Sequence, residues 1–253
     1  MNNIITIAKN TFKETIRDRI LYAILAFAFL FILSTIFLGS ISLGQDLKII
    51  RDLGLAGIYI FSLIIAIFLG TSLIYKEIER RTLYIVLSKP VSSAQFIIGK
   101  FLGLFISVFL TISIMTGLYL IIVAAKGGGL DIFGLAAIGM QLFEIMIFIA
   151  LSILFSTFVA PLASTLYSII ILFIGHSLPM ILKYALNSGG SFKYFSYFIY
   201  YLLPNLEKFN LRNAAVHNIL PSSIEIGSSI IYGIAYTIIL LALANYSLSK
   251  QEI

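Results

Sequence analysis

Glu144 is the one carboxylate that lies near the middle of a long apolar stretch of this sequence. A carboxyl group at mid-membrane is costly, so it needs a partner or a function. On a helix, Gln141, Ser152 and Ser156 fall within about 120 degrees of this carboxylate and form one polar stripe. The stripe faces either a transport pathway, which makes Glu144 a pathway carboxylate, or a neighbouring helix, which makes it a protonated partner in interhelical hydrogen bonds.

His176 completes the set of pathway candidates, although a packed or interfacial histidine is the more common role. The two histidines are far apart and no H-E-x-x-H sequence is present, which argues against a metalloprotease. The chain contains no cysteine, which excludes disulfides and thiolate metal sites. It also lacks the G-x-x-x-x-G-K-[ST] phosphate loop, so we expect no ATP hydrolysis, catalytic residue, cofactor or metal in this chain.

Residues 76–100 form a polar island between two uncharged runs. The island holds Lys and Arg in excess over Glu, whereas residues 53–75 and 101–125 contain no charged residue. An apolar run of more than about 18 residues can cross a bilayer core of about 30 Å as a helix. Because basic residues favour the cytoplasmic side, we place the island there.

The island also has the pattern of a short amphipathic helix. Its charged side chains recur three or four residues apart between Glu77 and Arg81, and apolar residues are interleaved with them. Pro90 ends this helix, and Ser92 or Ser93 caps the next one. A short amphipathic helix held between two spans is typical of a docking element for a cytoplasmic partner.

Six apolar segments are long enough to span a membrane. Their predicted limits are residues 20–40, 53–75, 101–124, 132–158, 162–182 and 226–248. With 60% hydrophobic and 11% charged residues, the composition is that of an integral membrane protein. We assign the net charge of +6 to basic residues at span ends and not to nucleic-acid binding. The predicted location is the cell (plasma or inner) membrane, with both termini cytoplasmic.

Three further segments complete this all-α prediction. Residues 1–19 form an amphipathic helix that lies in the membrane interface, with its basic face toward the lipid headgroups. Residues 126–131, which include three consecutive glycines, form a short flexible outer turn. Residues 183–225 are rich in Tyr and Phe, so we expect one or two short helices dipping into the outer interface.

These features together resemble a known family. A basic N-terminal helix ends in FKETIRDRILY, six spans follow, and YKEIERRTLYIVLSKPVSSAQFIIGKFLG joins spans 2 and 3. This combination resembles the permease subunits of type-2 ABC transporters (the ABC-2 family), in particular the NosY-like branch, to which the outer segment YYLLPNLEKFNLR is also similar. The resemblance covers nearly the whole chain as a single permease domain, residues 1–253, and EIERRT followed by LSKPVS is its most specific part.

The resemblance implies a membrane subunit of an ATP-driven exporter. The first inner loop becomes a coupling helix that fits a groove on a separate ATPase, through Glu77, Glu79, Arg80, Arg81, Thr82, Leu83, Leu87 and Pro90. Residues 4–19 become the connecting helix, and residues 183–225 the outer re-entrant helices. Two permease copies, identical or related, work with two ATPase copies, which bind ATP and Mg²⁺.

Two other functions remain open. The chain can be a membrane scaffold that anchors an extracytoplasmic maturation partner through residues 183–225. It can also be an ion-coupled carrier, although no convincing internal repeat is present and few buried ionisable groups are available.

Overall fold

The structure is a computed structural model that describes residues 2–41, 44–79, 91–188 and 190–250, and these are helical almost throughout. In chain order the helices are α1 (Asn2–Ile16), α2 (Arg19–Ser40), α3 (Asp46–Glu79), α4 (Ser93–Ala125), α5 (Ile132–Ser156), α6 (Pro161–Ser188), α7 (Gly190–Leu202), a 3-10 helix (Leu206–Phe209), α8 (Arg212–Val216) and α9 (Ser223–Ser249). Within the described ranges, α2 to α6 and α9 are the six helices long and apolar enough to cross a membrane. The predicted all-α architecture with six spans is therefore confirmed.

Helices α3 and α5 form the centre of the bundle. They pack against each other and are surrounded by α2, α4, α6 and α9. The surrounding helices expose large apolar side chains, including Phe27, Phe173 and Ile238. Lipid tails are as apolar as these side chains, so this exposure is expected of a membrane bundle.

The central pair approaches closely because of a glycine. A Cβ atom built on Gly70 of α3 would lie 2.6 Å from the Cβ atom of Ser152 on α5. No side chain larger than hydrogen fits there without moving one helix. Small residues at helix contacts let backbones approach in membranes, where packing contributes much of the association energy.

Helix α3 is longer than the predicted second span. Helix α3 begins at Asp46 and continues to Glu79, whereas the uncharged run covers only residues 53–75. Hydropathy marks the part of a helix that suits lipid, and it does not mark where the helix itself stops. Residues 76–79 are accordingly the last turn of α3 and not the start of a separate helix.

The start of α4 agrees with the predicted cap. The Ser92 hydroxyl accepts a hydrogen bond from the Gln95 backbone N–H at 3.3 Å, and the Gln95 side chain accepts one from the Ser92 backbone N–H at 3.3 Å. This reciprocal pair satisfies two backbone donors that a helix start leaves free.

The connection before α5 contains a glycine turn and a buried acidic residue. Gly127 and Gly129 do adopt positive φ, as a tight turn requires. Asp131, however, is buried, pairs with Arg51 at 3.3 Å and accepts a hydrogen bond from Tyr119. Asp131 therefore joins the end of this turn to α3 and α4, while the flexibility of the turn stays a prediction.

The connection between α6 and α9 reaches deep into the bundle. Helix α7 packs beside α6, and the chain then turns through the 3-10 helix next to Gly175, near the middle of α6. A Cβ atom on Gly175 would lie 2.6 Å from Leu206 and 2.8 Å from the Pro204 carbonyl oxygen. This re-entrant connection is helical, as predicted, but reaches further into the bundle than the membrane interface.

Candidate functional site

Glu144 is buried and bonds to side chains of two neighbouring helices. It lies halfway along α5 with 1% of its surface exposed. Its Oε1 atom accepts a hydrogen bond from the Tyr59 hydroxyl of α3 at 2.7 Å. The His176 Nε2 atom of α6 lies 2.9 Å from the same oxygen and 2.8 Å from the Tyr59 hydroxyl. Three spans therefore meet at one carboxylate oxygen.

His176 extends this contact to the re-entrant connection. Its second ring nitrogen, Nδ1, lies 3.0 Å from Oε2 of Glu207 in the 3-10 helix. The Asn210 amide donates to Glu207 at 3.1 Å, and the Arg212 Nε donates to Asn210 at 3.1 Å. The Arg212 guanidinium in turn stacks 3.9 Å from the centre of the Tyr59 ring, so the chain of contacts that begins at Tyr59 also returns to it. We call these six residues, Tyr59, Glu144, His176, Glu207, Asn210 and Arg212, the mid-span network.

The mid-span network contains both acidic and basic side chains. The pKa of Glu207 is lowered below its ordinary value, mainly by the hydrogen bond from His176. Partial burial raises this pKa, and the hydrogen bond from Asn210 lowers it further. Glu207 is therefore a carboxylate at neutral pH. Ionisable groups inside a membrane are usually paired with one another, and here Arg212 and His176 lie among the two acidic side chains.

The other predicted pathway residues lie away from this network. Gln141 donates to the Ser62 hydroxyl of α3 at 2.7 Å, and Ser156 donates to the backbone oxygen of Ile153 at 2.8 Å. Ser152 is buried against α3, and its hydroxyl has no hydrogen-bond partner among the described residues. The structure thus joins Glu144 to His176 and places Gln141 and Ser152 at the contact between α3 and α5.

Sequence reasoning identified Glu144 and His176 and missed the other four residues of the network. Tyr59 stands in a long apolar run, where a tyrosine gives no sign of a buried partner. Glu207 and Arg212 belong to the aromatic segment that was predicted to lie at the interface. Their opposite charges within five residues of each other were the available signal for a polar site.

A second charged cluster lies where α3 ends. Lys100 of α4 is 4% exposed, and its ammonium group pairs with Glu77 in the last turn of α3. The same group lies 3.6 Å from Oε2 of Glu14 on α1. We call these three residues the Lys100 clamp. It joins α1, α3 and α4 at the point where the chain leaves α3 for residues 80–90.

Helix α1 packs against α4 beside the Lys100 clamp. Cβ atoms on Gly99 and Gly103 of α4 would lie 2.7 Å from the Ile7 Cβ and 2.5 Å from the Ala8 carbonyl oxygen. Thr11 and Thr15 are buried on the same face of α1. The apolar face that was predicted to lie in the membrane interface is thus largely covered by α4, while Lys9 and Lys13 remain exposed as predicted.

Most of the predicted ATPase contact lies outside the described residues. This holds for Arg80, Arg81, Thr82, Leu83, Leu87 and Pro90, and for the side chain of Glu79. Glu77 is described, and it contributes to the Lys100 clamp. The docking role of this segment therefore stays a prediction. The ion pair between Glu77 and Lys100 at the end of α3 is observed in the structure.

Fold and site define the class of the protein: a multi-pass, all-helical membrane protein with a buried polar network between its spans. In the described part of the chain, no three acidic or histidine side chains are arranged to hold a metal ion. Residues 5–253 match the family described as ABC-2 family transporter protein, and the chain belongs to that family. It is thus a membrane permease component of an ABC transporter, which works with a partner ATPase. A search of curated proteins gave no match.

Proposed function

We propose that this permease couples ATP hydrolysis by a separate cytoplasmic ATPase to the export of a substrate, and that residues 76–90 receive the ATPase. The Lys100 clamp is the observation that carries the proposal. Residues 80–90 follow the last turn of α3 in the sequence, and Glu77 in that turn is tied through Lys100 to α4 and α1. A force on residues 80–90 therefore acts on two spans and the N-terminal helix together.

The assembly that we propose contains two permease copies and two ATPase copies. The ATPase subunits bind ATP and Mg²⁺, and this chain holds neither. Both termini lie in the cytoplasm, and residues 183–225 face the other side, where an extracytoplasmic protein can bind. The NosY-like branch fits the sequence motifs and is part of this proposal.

Charge reversal tests the docking step. Removing one member of a desolvated interfacial charge pair costs about 2–5 kcal/mol, and each 1.4 kcal/mol changes binding about tenfold. Glu79→Arg should therefore weaken ATPase binding at least about tenfold. Asp52→Arg is the matched control, because Asp52 is exposed near the opposite end of α3. Co-purification of the ATPase with each variant measures the effect, and full binding by Glu79→Arg would contradict the docking proposal.

Reconstitution tests transport itself. Permease and ATPase are placed in lipid vesicles with ATP, and candidate lipids, peptides and saccharides are assayed for movement across the bilayer. ATP-dependent movement supports an exporter. A complex that hydrolyses ATP and binds an extracytoplasmic protein without moving any cargo would favour the scaffold function.

A further inference from the structure

We propose that the re-entrant connection between α6 and α9 lines a water-filled vestibule that extends about halfway through the membrane. The 3-10 helix (Leu206–Phe209) lies at the closed end of this vestibule. Three observations carry the proposal: the depth of the 3-10 helix, the exposure of its charged side chains, and a buried polar atom beside it.

The mid-span network fixes the depth of the 3-10 helix. Glu144 is at the midpoint of α5, about 18 Å from either end at 1.5 Å per residue. The His176 ring touches Glu144 with one nitrogen and Glu207 with the other. The Glu207 carboxylate is thus separated from the midpoint of a span by one imidazole ring. The bilayer core is about 30 Å thick, so Glu207 lies deep inside it.

Charged side chains at this depth are exposed and not enclosed. The Glu207 side chain is 45% exposed, and Lys208 is exposed with its ammonium group 4.5 Å above the Tyr232 ring. A charged side chain at the centre of the bilayer costs about 2.5–3.5 kcal/mol even on the most lenient scale. Lipid is therefore an unfavourable neighbour for this surface, and water is a favourable one.

A buried amide beside the 3-10 helix supports the same conclusion. Asn205 is 5% exposed, and its Oδ1 atom has no hydrogen-bond donor among the described residues. Water is the usual partner of such an atom.

Residues at a similar level on other faces have the opposite character. Phe173, one turn of α6 before His176, is 69% exposed, and Ile238 near the middle of α9 is 61% exposed. These faces suit lipid. The exposed side chains on α6 and α9 are apolar, so we assign lipid as their neighbour. Those on the 3-10 helix are charged, so we assign water as theirs.

The vestibule suits small hydrophilic molecules, since it presents a carboxylate and an ammonium group side by side. Its use as part of the substrate route rests on the proposed transport function. The accessibility of the vestibule to water does not rest on that function, because it can be measured on the permease without an ATPase or a substrate. An experiment can therefore contradict one of the two proposals without contradicting the other.

Single cysteines test the vestibule in a chain that has none. Lys208→Cys and Phe173→Cys are prepared in lipid nanodiscs and treated with a charged, membrane-impermeant maleimide. The maleimide reacts with the thiolate form of cysteine, and burial in apolar surroundings raises the thiol pKa. A rise of one pKa unit lowers the thiolate fraction about tenfold. We expect Lys208→Cys to react at least about tenfold faster than Phe173→Cys. Nanodiscs expose both membrane faces, so the result does not depend on orientation.

Glu207→Cys provides a second variant at the closed end, and Ile219→Cys, in the exposed loop before α9, is the freely accessible control. Labelling of Lys208→Cys or Glu207→Cys near the rate of the loop control supports the vestibule. If both react as slowly as Phe173→Cys while the loop control reacts, lipid or a second permease copy covers this surface and the proposal is overturned.

Discussion

At the residue scale, Glu144 matters because its oxygen is shared by two partners. The Tyr59 hydroxyl and the His176 ring both point at Oε1 from other helices, and none of the three has a large exposed surface. A hydrogen bond contributes modestly when formed, but a buried polar group left without a partner costs its full desolvation energy. The effect of a substitution therefore depends on whether the replacement can still bond to both neighbours.

Replacement of Glu144 separates the roles of shape and charge. Glu144→Ala leaves the Tyr59 hydroxyl and the His176 Nε2 atom without their shared acceptor, so we expect a loss of about 2–5 kcal/mol in stability. Glu144→Gln keeps an oxygen and an amide at the same place and should retain most of that stability. Thermal unfolding of both variants in detergent gives the comparison. Equal unfolding temperatures for Glu144→Ala and the unmodified protein would mean that the network contributes nothing to stability.

If Glu144 lines the pathway, Glu144→Gln should also keep ATPase binding while changing the rate of transport or its dependence on pH. Transport that is unchanged across the pH range would leave Glu144 only an interhelical bonding role.

Glu207 gives the fold a dependence on pH. Its pKa is lower in the folded chain than its ordinary value, mainly because His176 donates to it. A carboxylate of this kind stabilises the fold fully above its unfolded pKa of about 4.3, and that contribution is lost as the pH falls through the lower, folded pKa. The unmodified protein should therefore lose more thermal stability between about pH 5 and pH 3 than Glu207→Gln. Parallel pH profiles for the two proteins would contradict this assignment.

At the element scale, charged side chains hold helices together near both ends of the bundle. The Lys100 clamp joins α1, α3 and α4 on one side of the bundle, while Asp131 joins α3, α4 and the start of α5 on the other. Asp131 also caps α5 by accepting a hydrogen bond from the Gly134 backbone N–H at 3.0 Å. Polar contacts of this kind add to the van der Waals packing that holds helices together in lipid.

Loss of the Lys100 charge should loosen this end of the bundle. Lys100→Met leaves the Glu77 carboxylate partly buried without its cation, and breaking a buried pair in this way costs about 3–5 kcal/mol. We expect the lower end of that range, since Glu14 is largely exposed. Lys9→Met, on the exposed face of α1, is the matched control and should change little.

Two measurements read the result for Lys100. Thermal unfolding reports the stability, and stimulation of the ATPase by the permease reports the coupling. If Lys100→Met binds the ATPase normally and still couples at the original rate, the clamp is structural only. Recovery of coupling in Lys100→Arg, which keeps the charge, would support the proposed role.

At the scale of the whole molecule, six spans place α1 and the connection between α4 and α5 on opposite sides of the membrane. The excess of basic residues near α1 and in residues 76–100 predicts that α1 is cytoplasmic. Asn10 is exposed on α1, and Leu130 is 69% exposed before α5. A membrane-impermeant thiol reagent on intact cells should label Leu130→Cys and leave Asn10→Cys unlabelled until the membrane is opened. The reverse pattern would mean that the protein has the opposite orientation in the membrane.

The sequence by itself determined which parts of the chain enter the membrane. Hydropathy depends on local composition, so six apolar runs predicted six spans, and the periodicity of residues 1–19 predicted a helix with one apolar face. Local chemistry also identified the Ser92 cap and singled out Glu144 as a carboxylate that needs a partner. Each of these inferences uses residues that are neighbours along the chain.

Only the tertiary structure decided which side chains meet. Glu144 bonds to Tyr59, 85 residues away along the chain, and Tyr59 contacts His176 at a separation of 117 residues. Such pairs depend on how far each helix is rotated and how closely glycines let it approach its neighbours, and no local pattern records either quantity. For the same reason the sequence could show that α1 has an apolar face, but not that α4 covers it.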